Sequence, residues 1–400
     1  MPRSRAIPGR LARWALFALL ALCWPLSTLA NAPRVGVATM QPGEIFFERF
    51  GHNAIVVVDP SRGEPLSYNF GFFDMGEDGF VARFVRGEMV YRLVELPWSQ
   101  DLRYYQDTGR GVRIQWLDLD DTQAVALAAA LAENARPENA RYRYDYFTDN
   151  CATRVRDALD RALGGTLKPQ LVGRSRGDTY RSEAVRLARP APWMWLGFDL
   201  GLGPAADQPL SRWEDAYVPM RLADSLREAQ RADGRPLVLA EEDVVAHRIA
   251  PEPAELPRPW WPWLLTGLAI AALWLGVRAR APRAAAAVAL LFWSVAGLLG
   301  LVMLLLWIGT EHRFAWANRN LLLLSPLSWL LLPGAWRLLR GRAPGRVFRI
   351  ALGAIVVGVV LAPFALWLPL TPQANAHWVA LLLPIHAALA FAWLRPTGTP

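Results

Sequence analysis

Apolar residues change their spacing along this chain, and the changes mark its elements. Asn53 to Val58 is a β-branched apolar run that ends in Asp59-Pro60-Ser61-Arg62-Gly63-Glu64, and Leu66 to Phe72, rich in aromatics, reads as a second strand. Two such runs around turn residues predict a β-hairpin whose ladder brings Tyr68 or Asn69 near His52. Residues 34–50 lead into it as a loop or short strand. Phe80 to Val85 fits a short helix, and Glu88 to Leu96 a strand stopped by Pro97. Trp98 to Asp107 fits a helix with Leu102 and Tyr105 on one face, and Gly111 to Leu119 another strand. Asp120 or Asp121 caps a helix over Thr122 to Asn134. From Cys151, the residues Ala152, Val155, Leu159 and Leu163 recur at helical spacing until Gly164-Gly165 stop them. Beyond Lys168 the periodicity weakens, with a helix-like run at 211–228. The order predicts an α+β domain.

The C-terminal part has a different pattern. Five apolar segments, roughly 260–277, 285–308, 320–339, 348–369 and 377–394, are each near the ~20 residues that cross a bilayer core. Between them lie two basic links, with Arg278, Arg280 and Arg283 in one and Arg337, Arg340, Arg342, Arg346 and Arg349 in the other. With both links in the cytoplasm, 309–319 and 370–376 fall outside, on the side of residues 31–259. Residues 1–32 agree independently. A basic start, an apolar run from Trp14 to Leu22 and a small-residue end predict a secretory signal peptide. The expected location is the cytoplasmic (inner) membrane, multi-pass, with the first domain on the periplasmic side.

This layout changes the meaning of the composition. The chain is 53% hydrophobic, with 19 Trp and a net charge of +8. Residues 31–259, however, hold 28 Lys and Arg against 34 Asp and Glu, a net of −6. The positive excess sits in the leader and the links, so the basicity is a topology signal and nucleic acid is excluded as partner. The basic segment 174–189 stays open between packing on the domain and touching the membrane.

The candidate chemistry is a thiol and an imidazole. Cys151 is one of two cysteines, the other being Cys23 in the leader. Asp149 or Asn150 is a plausible N-cap, which puts the thiol at the positive end of a helix dipole, where its pKa falls. His52 opens the β-branched run 99 residues upstream, so the fold must bring the two together. One thiol without a His/Asp cluster at ligand spacing gives no reason to expect a metal, and no glycine loop points to a nucleotide cofactor. Thiolate attack on an acyl carbon remains, with His52 as base and acid. A buried, inert cysteine is the alternative.

These residues resemble a family. Gly51-His52-Asn53-Ala54-Ile55-Val56-Val57 followed by a helix-opening Asn150-Cys151 is similar to the permuted papain-like thiol enzymes, which include NlpC-type peptidases and lecithin:retinol acyltransferase relatives. More closely, Phe50-Gly51-His52, Tyr68-Asn69-Phe70-Gly71-Phe72-Phe73-Asp74, Phe84-Val85-Arg86-Gly87, Tyr144-Asp145-Tyr146-Phe147 and Asp149-Asn150-Cys151-Ala152-Thr153 resemble the Lnb family, as do His312, Asn318, Asn320 and Pro326. The resemblance implies a permuted papain-like α+β domain before five transmembrane helices. The boundaries are 1–32 for the signal peptide, 33–168 for the catalytic domain, 169–259 for its extension and membrane-proximal linker, and 260–395 for the membrane domain. It implies a lipoprotein intramolecular acyltransferase. Cys151 takes an acyl chain from the diacylglyceryl group of a lipoprotein, and the α-amine of that lipoprotein's N-terminal cysteine receives it. The expected partners are that lipoprotein and membrane lipid, with no cofactor. Asn69 is the expected orienting residue, with Tyr68 and Asp74 as rivals. The Cys151 N–H and the Asn53 amide are expected oxyanion donors, and Asn150, His312, Asn318 and Asn320 are candidate substrate contacts. A cysteine amidase or peptidase acting on cell-wall peptide, or a non-catalytic assembly factor, would fit the same domain.

Overall fold

The computed structural model describes residues 32–366 and 372–394. The expected leader therefore lies, except for its last residue, outside the described residues, as does the end of the fourth apolar segment.

Seven strands carry the exported part: β1 (Arg34–Met40), β2 (His52–Val58), β3 (Leu66–Phe72), β4 (Val90–Pro97), β5 (Val112–Leu117), β6 (Arg141–Arg143) and β7 (Val238–Val245). They form one antiparallel sheet in the order β6-β4-β3-β2-β1-β5-β7. The expected hairpin is β2–β3, with Asn69 opposite Ala54 and Tyr68 opposite Ile55. Side chains alternate across a strand, so this register sends Ser67 and Asn69 to one face and Tyr68 and Phe70 to the other.

Each face has its own helices. α1 (Phe80–Arg86) lies at the margin, and α2 (Trp98–Thr108) covers one face. Its Tyr105 packs with Ala38, Met40, Ala54, Val56 and Ile114. α3 (Asp121–Asn134) and α4 (Cys151–Ala162) cover the other, against Val35, Val37, Ile55, Tyr68 and Phe70. α4 holds its position because Ala152, Val155 and Leu159 are fully buried at helical spacing. Its N-terminus is fixed by a reciprocal cap, in which Thr153 N–H donates to Asn150 Oδ1 (3.0 Å) and Asn150 N–H to Thr153 Oγ1 (2.7 Å).

The segment expected as an extension is part of the same sheet. β7 pairs with β5 along its length, so a boundary at 168 would cut one sheet in two. α5 (Tyr180–Ala188), α6 (Pro192–Gly201) and α7 (Pro219–Glu228) belong to the same body. The basic segment 174–189 proves to be ion-paired internally. Arg181, 1% exposed, donates to both carboxylate oxygens of Asp207 and to the carbonyls of Asp199 and Leu202. Arg186 donates to Glu183 and Arg176 to Asp215.

Among the described residues, three helices are long and apolar enough to cross a membrane: α8 (Trp261–Arg280), α9 (Pro282–Gly309) and, in chain order after two further helices, α12 (Ala376–Leu394). Between them, 313–339 is a broken stretch bent by 41° that ends in α10 (Leu332–Leu339), and α11 (Arg346–Leu361) has 16 residues. α8 and α12 touch at Gly267, where a Cβ would come within 2.3 Å of the Leu381 carbonyl, so only glycine allows the approach. The two basic links share one end of the bundle, with the Arg283 side chain beside Gly341. The opposite end carries the exported domain, as the charge pattern predicts. There Asp199, fully buried, accepts from His377 Nε2 (2.7 Å) and Trp378 Nε1 (2.9 Å).

Candidate active site

β2 begins at His52, just after Gly51 (φ +76°), and the N-terminus of α4 comes up to that strand end. On the neighbouring strand the β3–β4 register shifts between Asn69 and Phe72, and Gly71 takes φ +91°. A methyl group at Gly71 would meet the Tyr144 ring at 3.4 Å, Cys151 Cβ at 3.7 Å and Tyr142 Oη at 3.8 Å. Those are ordinary contact distances, so it is the positive φ, a conformation that an L side chain strains, that calls for glycine here.

Cys151, His52 and Asn69 come together there. His52 hydrogen-bonds Cys151, and His52 Nε2 lies 3.0 Å from Asn69 Oδ1. Asn69 Nδ2 donates to Ser67 Oγ (3.1 Å) and Asp101 Oδ2 (3.0 Å), and Ser67 Oγ donates to the same carboxylate oxygen (2.8 Å). These bonds fix Asn69 Oδ1 as an acceptor, so Nε2 carries a proton and Nδ1 faces the thiol. Tyr68 points to the other sheet face, and Asp74 accepts from Gly76 N–H instead. Neither rival reaches the histidine.

The electrostatics favour an ion pair. Burial opposes the thiolate, but His52 and the backbone N–H groups of Asn53 and Ala152 outweigh it, and the Cys151 pKa is lowered. Burial likewise opposes the imidazolium. The Cys151 charge, its hydrogen bond, the Asp101 charge and the Asn69 contact overcome that, and the His52 pKa is raised. Both shifts run toward a thiolate–imidazolium pair.

Other expected contacts have different roles. The Asn53 side chain is turned away, its Nδ2 committed to Thr39 Oγ1 (2.9 Å) and the Ala38 carbonyl (3.3 Å). Its backbone N–H, not its amide, is what faces the cysteine. Asn150 spends its side chain on the helix cap and on the carbonyls of Tyr146 and Tyr217. His312 bridges Tyr146 Oη (3.3 Å) and the Phe84 carbonyl (3.1 Å), and burial lowers its pKa. Asn318 and Asn320 are buried and both donate to the Leu200 carbonyl. Their Oδ1 atoms accept from Gln373 and Asn375. These three residues steady the domain over the membrane half, and a substrate would find their hydrogen bonds already taken. Arg154 pairs with Asp149 Oδ2 (2.7 Å) and lies over the Tyr142 ring.

Ser67, Asp101 and Tyr142 are absent from the sequence reading. Asp101 could have been found, because it lies four residues before Tyr105 on the buried face of α2, and a carboxylate there needs a partner. Tyr142 carries a quieter signal. Its hydroxyl is buried, has no protein hydrogen-bond partner, and stands beside the cysteine.

Two comparisons with known families decide the affiliation. Residues 24–183 match the Lnb N-terminal periplasmic domain, and residues 256–395 match the Lnb transmembrane domain. The chain belongs to the Lnb family. No curated protein and no solved structure matches it. As a member of the Lnb family it is a membrane protein with a periplasmic domain, and the thiol site lies within the matched periplasmic part. Lnb membership also bears on the boundary discussed above, since the first match ends inside α5, before the edge strand β7 completes the sheet.

Proposed function

We propose that this Lnb-family protein is a thiol acyltransferase of the inner membrane that moves an acyl chain within a diacylglyceryl lipoprotein. The hydrogen-bonded run Cys151–His52–Asn69–Asp101, in a domain held against a transmembrane bundle, supports this reading above all. The fold would be of the permuted papain-like kind, with the histidine strand before the cysteine helix, and the chain would cross the membrane five times.

The Cys151 thiolate attacks an ester carbonyl of the diacylglyceryl group. The C–S bond forms as the carbonyl π pair moves to oxygen. The oxyanion is met by the Cys151 N–H, one of the first-turn donors that a helix leaves without an internal acceptor. Tyr142 Oη is the second donor. The intermediate collapses, the C–O bond breaks, and His52 gives its Nδ1 proton to the departing glyceryl oxygen. The lipoprotein's own α-amine then attacks the thioester, His52 takes the amine proton, and the C–S bond breaks to return the thiolate. Asn69 holds the imidazole in the tautomer this requires, and Asp101 fixes Asn69.

Two substitutions separate these roles. Asn69→Ala is expected to lower kcat by at least about tenfold, since a base held in the wrong tautomer loses most of its effect. It should also shift the pH profile of Cys151 alkylation upward, which a loss of folded protein would not do. Tyr142→Phe is expected to cost roughly a hundredfold in kcat, as for other lost oxyanion donors. KM and the iodoacetamide alkylation rate should not change, because no oxyanion forms there.

The direct test uses a diacyl lipopeptide whose α-amine is acetylated, so that it can load the enzyme but cannot discharge it. A hydroxylamine-labile acyl adduct should accumulate on Cys151 by intact mass, and be absent from Cys151→Ala. No adduct on the wild type, with the thiol reactive to iodoacetamide, would refute the acyl-enzyme reading.

A further inference from the structure

A row of aromatic rings leads away from the cysteine. Tyr144, against Gly71 and beside Cys151, packs on Tyr91 at 4.3 Å between centroids. Tyr91 packs on Phe73 (4.9 Å), Phe73 on Phe80 (5.6 Å), Phe80 on Phe84 (6.3 Å), Phe84 on Phe46 (6.3 Å) and Phe46 on Trp193 (6.0 Å). Tyr91 is buried and Tyr144, Phe73 and Phe80 are half-buried, while the outer end lies open. Val81 is 69% exposed, Val85 58% and Trp193 66%. Large apolar side chains placed together in the open mark a surface meant for another apolar body.

The structure also shows where that end points. α1 is tied to the loop just past α9, a 28-residue apolar helix ending at Gly309. Glu311 N–H donates to the Arg86 carbonyl (2.7 Å), and His312 Nε2 lies 3.1 Å from the Phe84 carbonyl. A Cβ on Gly87 would meet the Glu311 backbone at 3.0 Å, so the helix end lies directly on that loop. On its other side, Trp195 of the same helix as Trp193 stacks on Trp263 near the start of α8 (6.3 Å). The open end of the row is therefore anchored at the bilayer surface from two sides, continuous with the membrane domain, and the closed end is at the thiol.

We propose that this row is an acyl-chain path. One fatty acyl chain of a bilayer-held substrate lies along Tyr144, Tyr91, Phe73 and Phe80 with its carbonyl at Cys151, and its tail leaves past Val81, Val85 and Trp193 into the outer leaflet. Rings and branched aliphatic side chains suit a chain of methylenes, which asks for contact area and no hydrogen bonds. The path deepens the acyltransferase reading and rests on it.

The test uses the full-length protein in lipid nanodiscs and two thiol electrophiles, iodoacetamide and N-hexadecyl iodoacetamide, with Cys151 modification followed by intact mass. Partitioning of the long probe into the disc is common to all variants and cancels between them. The double variant Val81→Asp/Val85→Asp is expected to slow Cys151 modification by the hexadecyl probe roughly tenfold or more, because burying chain next to two carboxylates forfeits its apolar contact. The iodoacetamide rate, which needs no chain site, should stay unchanged and so reports an intact fold. Val125→Asp, an apolar position on α3 that is also more than half exposed, should leave both rates as they are. Equal rates for the double variant and the wild type with the long probe would overturn the path, as would a parallel fall with both probes. A wild-type Cys151 inert to both probes would instead overturn the thiol chemistry itself, which separates the two failures.

Discussion

Replacing His52 with alanine is expected to lower acyl transfer by about 10²–10⁴-fold, the usual range for a positioned acid–base group. It should also return the thiol to ordinary behaviour. In the wild type the lowered Cys151 pKa keeps the thiolate populated below the normal thiol range, and the raised His52 pKa keeps its imidazolium present above the normal imidazole range. The alkylation rate of Cys151 follows its thiolate fraction. As pH rises, the wild-type rate should therefore reach its plateau earlier than that of His52→Ala, whose thiolate has lost the charge and the hydrogen bond that oppose its burial. Stopped-flow alkylation across pH measures both curves. Superimposed curves would mean that His52 does not act on the thiol.

The second large effect is on stability. Arg181→Leu is expected to cost about 3–5 kcal/mol, the range for breaking a buried ion pair by removing one partner. Asp207, 7% exposed, would keep a buried charge, and the carbonyls of Asp199 and Leu202 would lose their donor. Those carbonyls flank the junction with the membrane half, where Gly203 N–H donates to the Phe314 carbonyl (2.7 Å). The loss should thus appear in the full chain as a Tm lower by roughly 10 °C or more. Adding Asp207→Leu removes the stranded charge, and the double variant should recover part of the loss. A double variant as unstable as the sum of the singles would show that the pair is not coupled.

Most of the local fold was legible in the sequence because its signals are local. The β2–β3 hairpin announces itself by a β-branched run before Asp59-Pro60 and an aromatic-rich run after it, and α4 by its apolar spacing and its cap. The strands that the sequence left open or missed, β1 and β7, had no such contrast. β1 is central, with six of its seven residues buried, so inward and outward positions do not alternate. β7 is an exposed edge strand carrying Glu241, Glu242 and Asp243, and polar edges lack an apolar signature. Its pairing with β5 joins residues more than a hundred positions apart, which no local pattern records.

The site shows the same division. Cys151 and His52 stand out as residue types, and hairpin geometry narrows the neighbour of His52 to Tyr68 or Asn69. Asn69 was the expected orienting residue and Asn53 an expected oxyanion donor, and the register bears on both. That register turns Asn69 toward α2 with Ser67 and Asp101, and Asn53 toward Thr39. His312, Asn318 and Asn320 were visible as polar residues at the membrane surface, but their hydrogen bonds to the Phe84 and Leu200 carbonyls depend on a tertiary contact between the two halves.

The central claim is acyl transfer within a lipoprotein through Cys151. The measurement that bears on it most directly is intact mass spectrometry of lipoprotein N-termini from cells expressing either this chain or its Cys151→Ala form. N-acylated, lyso-glyceryl termini are expected with the wild type and unmodified diacylglyceryl termini with the variant. Identical termini in the two would contradict it, and cell-wall peptide would become the substrate to examine for the same thiol.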